Sequence, residues 1–375
     1  MLYIKKRINL FIKIALLFGT ILFSFPLWAE SDNIVYLDQV SIDCDSAFCT
    51  ETDCFYPEEK PTDKDIYIEK QVDWNKDKNL VLHTKGNIVF RKDGKVLNKR
   101  NGSIILKSGM IPGEKDEYNG TVKFEGSPSQ IEMLGRGKVK IYYNPTKGEK
   151  KHKYYNPTTY SNKLPGLKLE TYMLVNDVYD LQDITGCLYG SYALSQNIDA
   201  SPTKEQNWGN GKGFFPIKDA KDGAPFSGIF DGNNHVIRNL YINRPEENNV
   251  GLFGDVTGVN EYRSVLKDFT VENAFIRGKY CVGVAIGQAT GVEVSNVNVI
   301  KSEIRSDEDP GIIGGCVIVN THKLISANNT VVYEKDVLKS KGDNKLFGVC
   351  VRCKGTGDDK KEPEKKAEKS PHGQI

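Results

Sequence analysis

The feature that most constrains the fold of this chain is internal repetition, which occurs at two different periods. The first repeat lies between residues 86 and 141, where four segments share the Gly-x-apolar-x-apolar pattern of a half-buried strand. The segments begin at Gly86, Gly102, Gly120 and Gly137. Spacings of 16, 18 and 17 residues favour stacked coils, although a hairpin meander would give a similar pattern.

In a stack of coils, the apolar residues of these four segments should lie above one another. We expect a first buried column of Ile88, Ile104, Val122 and Val139. We expect a second column of Phe90, Leu106, Phe124 and Ile141. Residues 76–145 are therefore predicted to form short-period β-helix rungs.

The second repeat is longer and lies between residues 239 and 350. Four segments open with Asn or Asp and continue with alternating apolar residues, beginning at Asn239, Asp268, Asn296 and Asn329. An apolar-Gly pair follows each of them, so one unit holds at least two short strands joined by a turn. Such a unit cannot bury its apolar face alone and must stack on its neighbours. The Asn and Asp side chains suit turns, and ladders between rungs are a further possibility.

Two cysteines occupy matching positions in the last two units of this repeat. Cys316 follows Ile313-Gly314 and Cys350 follows Phe347-Gly348 at the same distance. Adjacent rungs lie about 4.8 Å apart, which is within disulfide reach. We therefore predict a disulfide between Cys316 and Cys350.

The amino terminus predicts export. Residues 1–29 contain a basic segment and an apolar run of 14 residues from Ile14 to Leu27, followed by Ala29 at a cleavage position. This is typical of a signal peptide, with an uncleaved amphipathic anchor as the alternative. In an oxidising compartment the eight cysteines are expected to pair rather than to bind metal. Cys350-x-x-Cys353 supplies only two of the four ligands of a closed zinc site, so no metal or cofactor is expected.

The remaining segments are weakly periodic. Residues 30–75 are predicted to be an acidic, Cys-containing linker, and residues 146–170 a basic, Tyr-rich connector. Residues 171–353 are assigned to the long-period solenoid and residues 354–375 to a disordered charged tail. Helical spacing from Val178 to Ile184, capped by Asn176 or Asp177, predicts one short helix.

The connector carries the candidate ligand contact. Its cationic and aromatic side chains interleave at Lys150, Lys151, Lys153, Tyr154 and Tyr155. Stacking rings beside ammonium groups suit an anionic glycan. The alternative, a solvated connector between two stacks, is favoured because runs of charge are usually solvated. The net charge of +2 argues against nucleic acid as the partner.

From Tyr142 onward the order of motifs resembles filamentous haemagglutinin-type adhesins of the two-partner secretion class. The resemblance is carried by Trp208-Gly-Asn-Gly-Lys-Gly-Phe214, Phe226-Ser-Gly-Ile-Phe-Asp-Gly232 and Val250-Gly-Leu-Phe-Gly254. Val282-Gly-Val-Ala-Ile-Gly287 is similar to the GLUG motif of such proteins. The resemblance implies an all-β, right-handed parallel β-helix at the cell surface or released from it. It also implies an outer-membrane transporter as a partner.

Three functions remain open from the sequence. The first is a non-catalytic adhesin or interaction module that binds a host or bacterial surface glycan or protein. The second is a β-helix polysaccharide lyase or hydrolase, for which Asp231 and His235 beside Arg238 are the candidate residues. The third is a secreted, host-directed effector. Residues 307–309 form an acidic loop without the spacing of a known calcium site, and a solvated loop is favoured there.

Overall fold

The regular secondary structure in the described part of the protein is almost entirely β-strand. The computed structural model describes residues 34–37, 48–56, 62–110, 120–145, 153–155, 157–258, 264–307, 311–318, 325–327, 330–332 and 345–349. The predicted signal peptide and charged tail lie outside these residues. Among the described residues there is one α-helix, α1 (Val178–Asp183), and there are four 3₁₀ segments: Lys153–Tyr155, Ile184–Gly186, Ser201–Lys204 and Gly209–Gly211.

The strands are β1 (Ile34–Leu37), β2 (Phe48–Cys49), β3 (Asp53–Tyr56), β4 (Asp65–Ile68), β5 (Gln71–Asp73), β6 (Asn79–Thr84), β7 (Ile88–Phe90), β8 (Lys95–Asn98), β9 (Ile104–Ser108), β10 (Val122–Phe124), β11 (Ile131–Met133), β12 (Val139–Tyr143), β13 (Leu169–Val175), β14 (Ser191–Leu194), β15 (Ile198–Asp199), β16 (Ile229–Arg238), β17 (Tyr241–Asn243), β18 (Phe253–Thr257), β19 (Ser264–Glu272), β20 (Phe275–Arg277), β21 (Ile286–Thr290), β22 (Val292–Ile300), β23 (Glu303–Arg305), β24 (Gly311–Ile318), β25 (Ile325–Ala327), β26 (Thr330–Val332) and β27 (Lys345–Val349).

Successive turns of the chain return to the same sheets in the same order. In the amino-terminal half, sheet A is β1-β4-β7-β10 and sheet B is β5-β8-β11. In the carboxy-terminal half, sheet D is β17-β20-β23 and sheet E is β18-β21-β24-β27. Sheet C runs through both halves from β2 to β25. Every described strand pair is parallel except β2–β3, so the coil prediction is confirmed and the hairpin meander is wrong.

The interior is a stack of apolar side chains that alternate with outward-facing ones. In β19 and β22, for example, Phe269 is in register with Val297 and Val271 with Val299, and all four are buried. The Ile242, Ile276 and Ile304 side chains form the same kind of column in sheet D. Each coil therefore buries its inner face against the next one, as repeat units must.

One coil of the chain spans two periods of the first repeat, so residues one period apart lie in different sheets. The two predicted columns are therefore wrong as drawn. Ile88 is in register with Val122 in sheet A, whereas Ile104 is in register with Val139 in sheet C. The second predicted column splits in the same way, because Phe90 is in register with Phe124 and Leu106 with Ile141. All eight residues are buried, as expected. The error arose because one coil passes through three sheets, so consecutive glycine-led segments belong to different faces.

The register of the second repeat also differs in part from the prediction. Asp268 and Asn296 occupy the same position of adjacent coils, as expected, since Phe269 is in register with Val297. Asn239 instead corresponds to Asn273, because Arg238 is in register with Glu272 and Tyr241 with Phe275. Each of these coils thus contains two turns with positive φ, the second of which is at Asn239, Asn273 or Lys301, and the prediction compared a second turn with two first turns. The fourth predicted start, Asn329, lies outside the described residues.

Residues 30–75 do not form only a linker. Strands β3, β4 and β5 pair in parallel with β6, β7 and β8, so the stack begins before residue 76. A disulfide joins Cys49 to Cys54 across the antiparallel β2–β3 pair. The connector also contributes to the core, where Tyr160 and Leu164 are buried. Alternation over only three or four residues per strand was too short to be recognised in the sequence.

The predicted helix is confirmed as α1. The Asp177 carboxylate accepts hydrogen bonds from the backbone N–H groups of Tyr179 and Asp180, which is the geometry of an N-cap. The Val178, Leu181 and Ile184 side chains are buried in the core, as their helical spacing predicts. The helix lies in the connection between β13 and β14.

The structure gives Cys316 a different partner from the predicted one. Its sulfur is bonded to Cys281, with the two Cα atoms 4.9 Å apart, which corrects the predicted bond to Cys350. A Cβ on Gly315 would lie 2.4 Å from the carbonyl carbon of Cys281, so the Gly315 backbone brings Cys316 against Cys281. Cys350 itself lies outside the described residues.

Candidate functional site

The predicted ligand contact on the connector is largely internal. Tyr154 is fully buried and donates a hydrogen bond to the carbonyl oxygen of Leu174 (2.8 Å), and Lys153 is 5 % exposed in an ion pair with Asp180 (2.5 Å). These two residues therefore cannot present themselves to an external ligand, which corrects the prediction. Tyr155 is 45 % exposed. Lys150 and Lys151 lie outside the described residues.

The candidate catalytic residues lie on β16 and are engaged in ion pairs between strands. The buried Asp231 carboxylate binds the ammonium of Lys267, which also contacts Asp268 (3.0 Å). Burial lowers the pKa of Lys267, but the hydrogen bonds and negative charges of Asp231 and Asp268 together outweigh burial and raise this pKa overall. Arg238 donates to the Glu272 carboxylate (2.7 Å). These contacts tie β16 to β19.

His235 lies farther along β16, beyond the irregularity that separates it from Asp231 in the register with β19. Burial and the neighbouring Lys107 ammonium lower its pKa, which favours the neutral imidazole. No shared contact between His235 and Asp231 is present among the described residues. The structure thus places the sequence-predicted pair on one strand without forming an acid–base pair from it.

The outer face of sheet C carries a closed aromatic cluster. The rings of Tyr142 and Tyr172 stack at 5.0 Å, and the Lys107 ammonium lies 5.4 Å from the Tyr142 centroid. Both tyrosines are at most 5 % exposed. Burial, followed by the nearby carboxylates, raises the pKa of each phenol. This cluster belongs to the packing of the protein rather than to an open surface.

An open aromatic surface lies instead beside sheet D. We call it the aromatic strip, and its members share half-buried or exposed rings: Tyr179, Trp208, Tyr241 and Phe275. The Tyr179 and Trp208 rings are 5.0 Å apart, and Tyr179 is 47 % exposed. The rings of Tyr241 and Phe275 stack at 5.2 Å with an interplanar angle of 16°.

Backbone conformation places Trp208 near sheet D. The loop Trp208–Gly213 contains Gly209, Asn210, Gly211 and Gly213, which all have positive φ, between +56° and +79°. The loop ends by pairing with β17, since Asn243 donates to the Lys212 carbonyl (2.8 Å). A Cβ at Gly213 would lie 2.2 Å from the Tyr241 carbonyl oxygen. Glycine at this position permits the close approach of the loop to the backbone of β17.

The second half of the strip follows from strand register. Tyr241 on β17 is in register with Phe275 on β20 and Glu303 on β23, so their side chains share the outer face of sheet D. The Arg305 guanidinium lies 5.1 Å from the Phe275 centroid and forms an ion pair with Glu303 (2.6 Å). The next residue on each strand is a buried isoleucine. Because successive side chains of a strand point to opposite faces, Tyr241, Phe275 and Glu303 point outward.

The strip combines flat apolar faces with charged groups at its edges. Arg277 is exposed on the same strand as Phe275, and the Lys212 side chain is 60 % exposed in the adjoining loop. Aromatic and arginine side chains are the groups enriched at recognition surfaces, where rings supply area and cations supply orientation. The sequence did not reveal this surface, because the predicted register aligned Asn239 with Asp268 and so did not place Tyr241 beside Phe275.

No group of three or more His, Cys, Asp or Glu side chains is placed to hold an ion in the described part of the chain. None of the helices in the described ranges has the length and apolar character needed to cross a membrane.

Comparison with known proteins gives one partial match. A stretch of 143 residues, 37% of this chain, is 38% identical to halomucin from Haloquadratum walsbyi (strain DSM 16790 / HBSQ001). The chain spans only 2% of the length of that protein. No family model matches the chain, and no solved structure is significantly similar.

Proposed function

We propose that this chain is an exported, non-catalytic adhesin or interaction module that binds a glycan or protein of a host or bacterial surface through the aromatic strip. The observation that carries the proposal is the strip itself: two pairs of half-buried or exposed rings, Tyr179 with Trp208 and Tyr241 with Phe275, beside exposed cations. A single exposed aromatic residue is ordinary on a protein surface, whereas paired aromatic rings beside arginine are the kind of groups enriched at recognition surfaces.

The fold that we propose is a right-handed parallel β-helix. Strand connections that return to the same parallel sheet are right-handed in about 98 % of cases, which supports this hand for the coils of sheets C, D and E. The resemblance to filamentous haemagglutinin-type adhesins leads to the same fold and the same function. It also makes an outer-membrane transporter a proposed partner for export.

Export is supported by the disulfides Cys49–Cys54 and Cys281–Cys316. Such bonds persist in oxidising compartments and are rare in the cytosol. We therefore propose that the chain acts at the cell surface or outside the cell. The partial match to halomucin shows that a related segment occurs within a far longer protein.

Binding is favoured over glycan cleavage because the candidate catalytic carboxylates form ion pairs with lysines. The Asp231 carboxylate binds Lys267, and Glu170 binds Lys138 (2.5 Å) and Lys140 (3.3 Å). A glycosidase needs two carboxylates that face one bond of the substrate, one as acid and one as base or nucleophile. Carboxylates held by lysines between coils instead serve to join strands.

The proposal is tested by binding of the exported protein to intact cells and to an array of host and bacterial surface glycans. We expect Trp208→Ala and Phe275→Ala to weaken binding about tenfold or more, because central aromatic residues dominate interface energies. Tyr189→Ala is the matched control, since Tyr189 is 77 % exposed and lies outside the strip. Unchanged binding by both strip variants, or release of reducing sugar by the wild-type protein, would contradict the proposal.

A further inference from the structure

A buried cluster of four polar side chains lies where the connector meets the stack. Asn144 follows β12, Asn176 follows β13, Asp180 belongs to α1 and Lys153 begins a 3₁₀ segment. Asn144, Lys153 and Asn176 are 2 %, 5 % and 0 % exposed. The Asp180 side chain is 13 % exposed. An amine, a carboxamide and a carboxylate are thus enclosed together without being part of the aromatic strip.

The contacts in this cluster bring the three reactive groups together. The Lys153 ammonium lies 2.5 Å from a carboxylate oxygen of Asp180 and 3.2 Å from the Oδ1 atom of Asn144. The amide of Asn176 donates to the same Asn144 oxygen (2.8 Å) and to Asp180 (2.7 Å). The Asn144 carbonyl therefore accepts two hydrogen bonds, which draw electron density from its carbon atom.

The ion pair between Lys153 and Asp180 lies against aromatic and aliphatic side chains. The Lys153 nitrogen lies 5.6 Å from the centroid of the fully buried Tyr154 ring, whose edge packs against Tyr192. Val178 and Leu181 of α1 are buried in the same core. Burying charges in apolar surroundings is costly, and transfer of one proton from Lys153 to Asp180 removes both charges. A neutral lysine amine is a nucleophile.

We propose that Lys153 and Asn144 join through an intramolecular isopeptide bond that forms after folding, with Asp180 as the catalytic acid and base. Their enclosure within hydrogen-bond distance of one another supplies the proximity that such a reaction needs. Asn176 is the positioning residue and donates to the oxygen on which negative charge develops.

The reaction balances without any other reactant. Asp180 accepts a proton from the Lys153 ammonium, and the amine attacks Cγ of Asn144. The new Nζ–Cγ bond forms and the Cγ–Nδ2 bond breaks. Of the three ammonium protons, one stays on the new amide nitrogen, and two leave with the old amide nitrogen as ammonium after passing through Asp180. No electrons are transferred.

The bond fastens the Lys153–Tyr155 segment to the end of β12. Lys153 and Asn144 are nine positions apart in the chain. The cross-link therefore closes a small covalent ring at the point where the amino-terminal coils pass into α1. It prevents this segment from separating from the stack when the protein is pulled or heated.

The test is high-resolution mass spectrometry of the exported full chain, first intact and then after digestion with trypsin. We expect the wild-type protein to be lighter than its sequence by one ammonia, beyond the hydrogens lost at disulfides. Digestion should yield a branched peptide that links Lys153 to Asn144. An Asn-Gly succinimide also loses ammonia, and the branched peptide distinguishes it from the cross-link.

Lys153→Met and Asp180→Asn should lack both the mass loss and the branched peptide. The exposed Lys163→Met is the matched control and should keep both. A wild-type chain without the branched peptide would overturn the proposal, whether or not the variants fold. Loss of one water with a Lys153–Asp180 linkage would overturn the assignment to Asn144, as would a mass loss that persists in Lys153→Met.

Discussion

The amino-terminal and carboxy-terminal coils build one continuous sheet C but enter their strands differently. In the amino-terminal coils, glycine lets the backbones of adjacent coils approach closely. A Cβ on Gly102 would lie 2.0 Å from the carbonyl oxygen of Lys78, and a Cβ on Gly137 would lie 2.4 Å from the carbonyl oxygen of Gly102. In the carboxy-terminal coils, asparagine or aspartate provides a left-handed backbone. Asn239, Asp268 and Asn273 have φ values of +62°, +59° and +55°.

The asparagine turns also bond to one another across coils. Asn273 donates to the side-chain oxygen of Asn239 (2.7 Å), and Asn239 donates to Asp199 (2.8 Å). The Asn239 hydrogen bond is the main cause of the lowered pKa of Asp199. A stacked coil can therefore turn in two ways. Glycine leaves space for the neighbouring backbone, whereas asparagine or aspartate tolerates positive φ and bonds the next coil through its side chain.

The largest effect should come from filling the space at an amino-terminal corner. We expect Gly102→Ala to lower the free energy of unfolding by about 3 kcal/mol, because its Cβ would collide with backbone that cannot rotate away. Urea denaturation measures this change. Gly223→Ala is the matched control, since its Cβ would meet no atom within 4 Å although its φ is +73°.

The control should lose about 1 kcal/mol, the cost of a left-handed backbone for an L-residue. Equal losses in the two variants would show that space is not what glycine provides in the amino-terminal coils.

A buried carboxylate on β18 should give the carboxy-terminal coils a pH dependence of their own. Burial raises the pKa of Asp255 to about 6, with the Lys218 ammonium opposing the rise. The folded state then holds a proton that the unfolded state has released, so this residue costs stability as pH rises from about 4 to about 6. We expect Asp255→Asn to raise the free energy of unfolding by about 1 kcal/mol at pH 8 after allowance for partial exposure.

The gain from Asp255→Asn should vanish below pH 4, where the carboxyl is protonated in both states. Urea denaturation at pH 4 and pH 8 checks this. Asp307→Asn, at an exposed position in the turn after β23, is the matched control, and as a surface substitution it should change the free energy of unfolding by less than about 0.5 kcal/mol. The same gain at both pH values would contradict a titrating Asp255.

The smallest effect should come from removing one side-chain hydrogen bond between the asparagine turns of adjacent coils. We expect Asn273→Gly to cost about 0.5 kcal/mol, because glycine keeps the left-handed turn and only the hydrogen bond to Asn239 is lost. Asn273→Ala should cost about 1 kcal/mol more, since it also strains the backbone. Thermal unfolding of the two variants separates the contributions. If alanine is no worse than glycine, the left-handed turn is not what asparagine provides in these coils.

Much of the fold is predictable from short-range pattern. Alternation in the strands, the Asn and Asp turns and the cap of α1 at Asp177 depend on residues close in sequence, and all are present in the structure. The prediction of stacked coils followed from repetition alone. The function, the haemagglutinin resemblance and the absence of catalysis remain predictions.

The candidate site was much less predictable. Lys153 and Tyr154 have the composition of a surface contact but turn inward, because Asp180 and the Leu174 carbonyl offer them buried partners. Cys316 pairs with Cys281 rather than Cys350, since bonding depends on which coil lies against it. The loop Trp208–Gly213 lies against β17 through a backbone hydrogen bond between Asn243 and Lys212, which no local pattern predicts.

By itself, the sequence determined that the chain stacks, since each repeat carries more apolar side chains than one unit can bury. It also determined where the chain turns, because glycine and asparagine are tolerated in conformations that other residues avoid. Only the tertiary structure decided how many sheets one coil visits, and with that the register. Register sets which side chains become neighbours across coils, and those contacts depend on the whole path of the chain rather than on any local pattern.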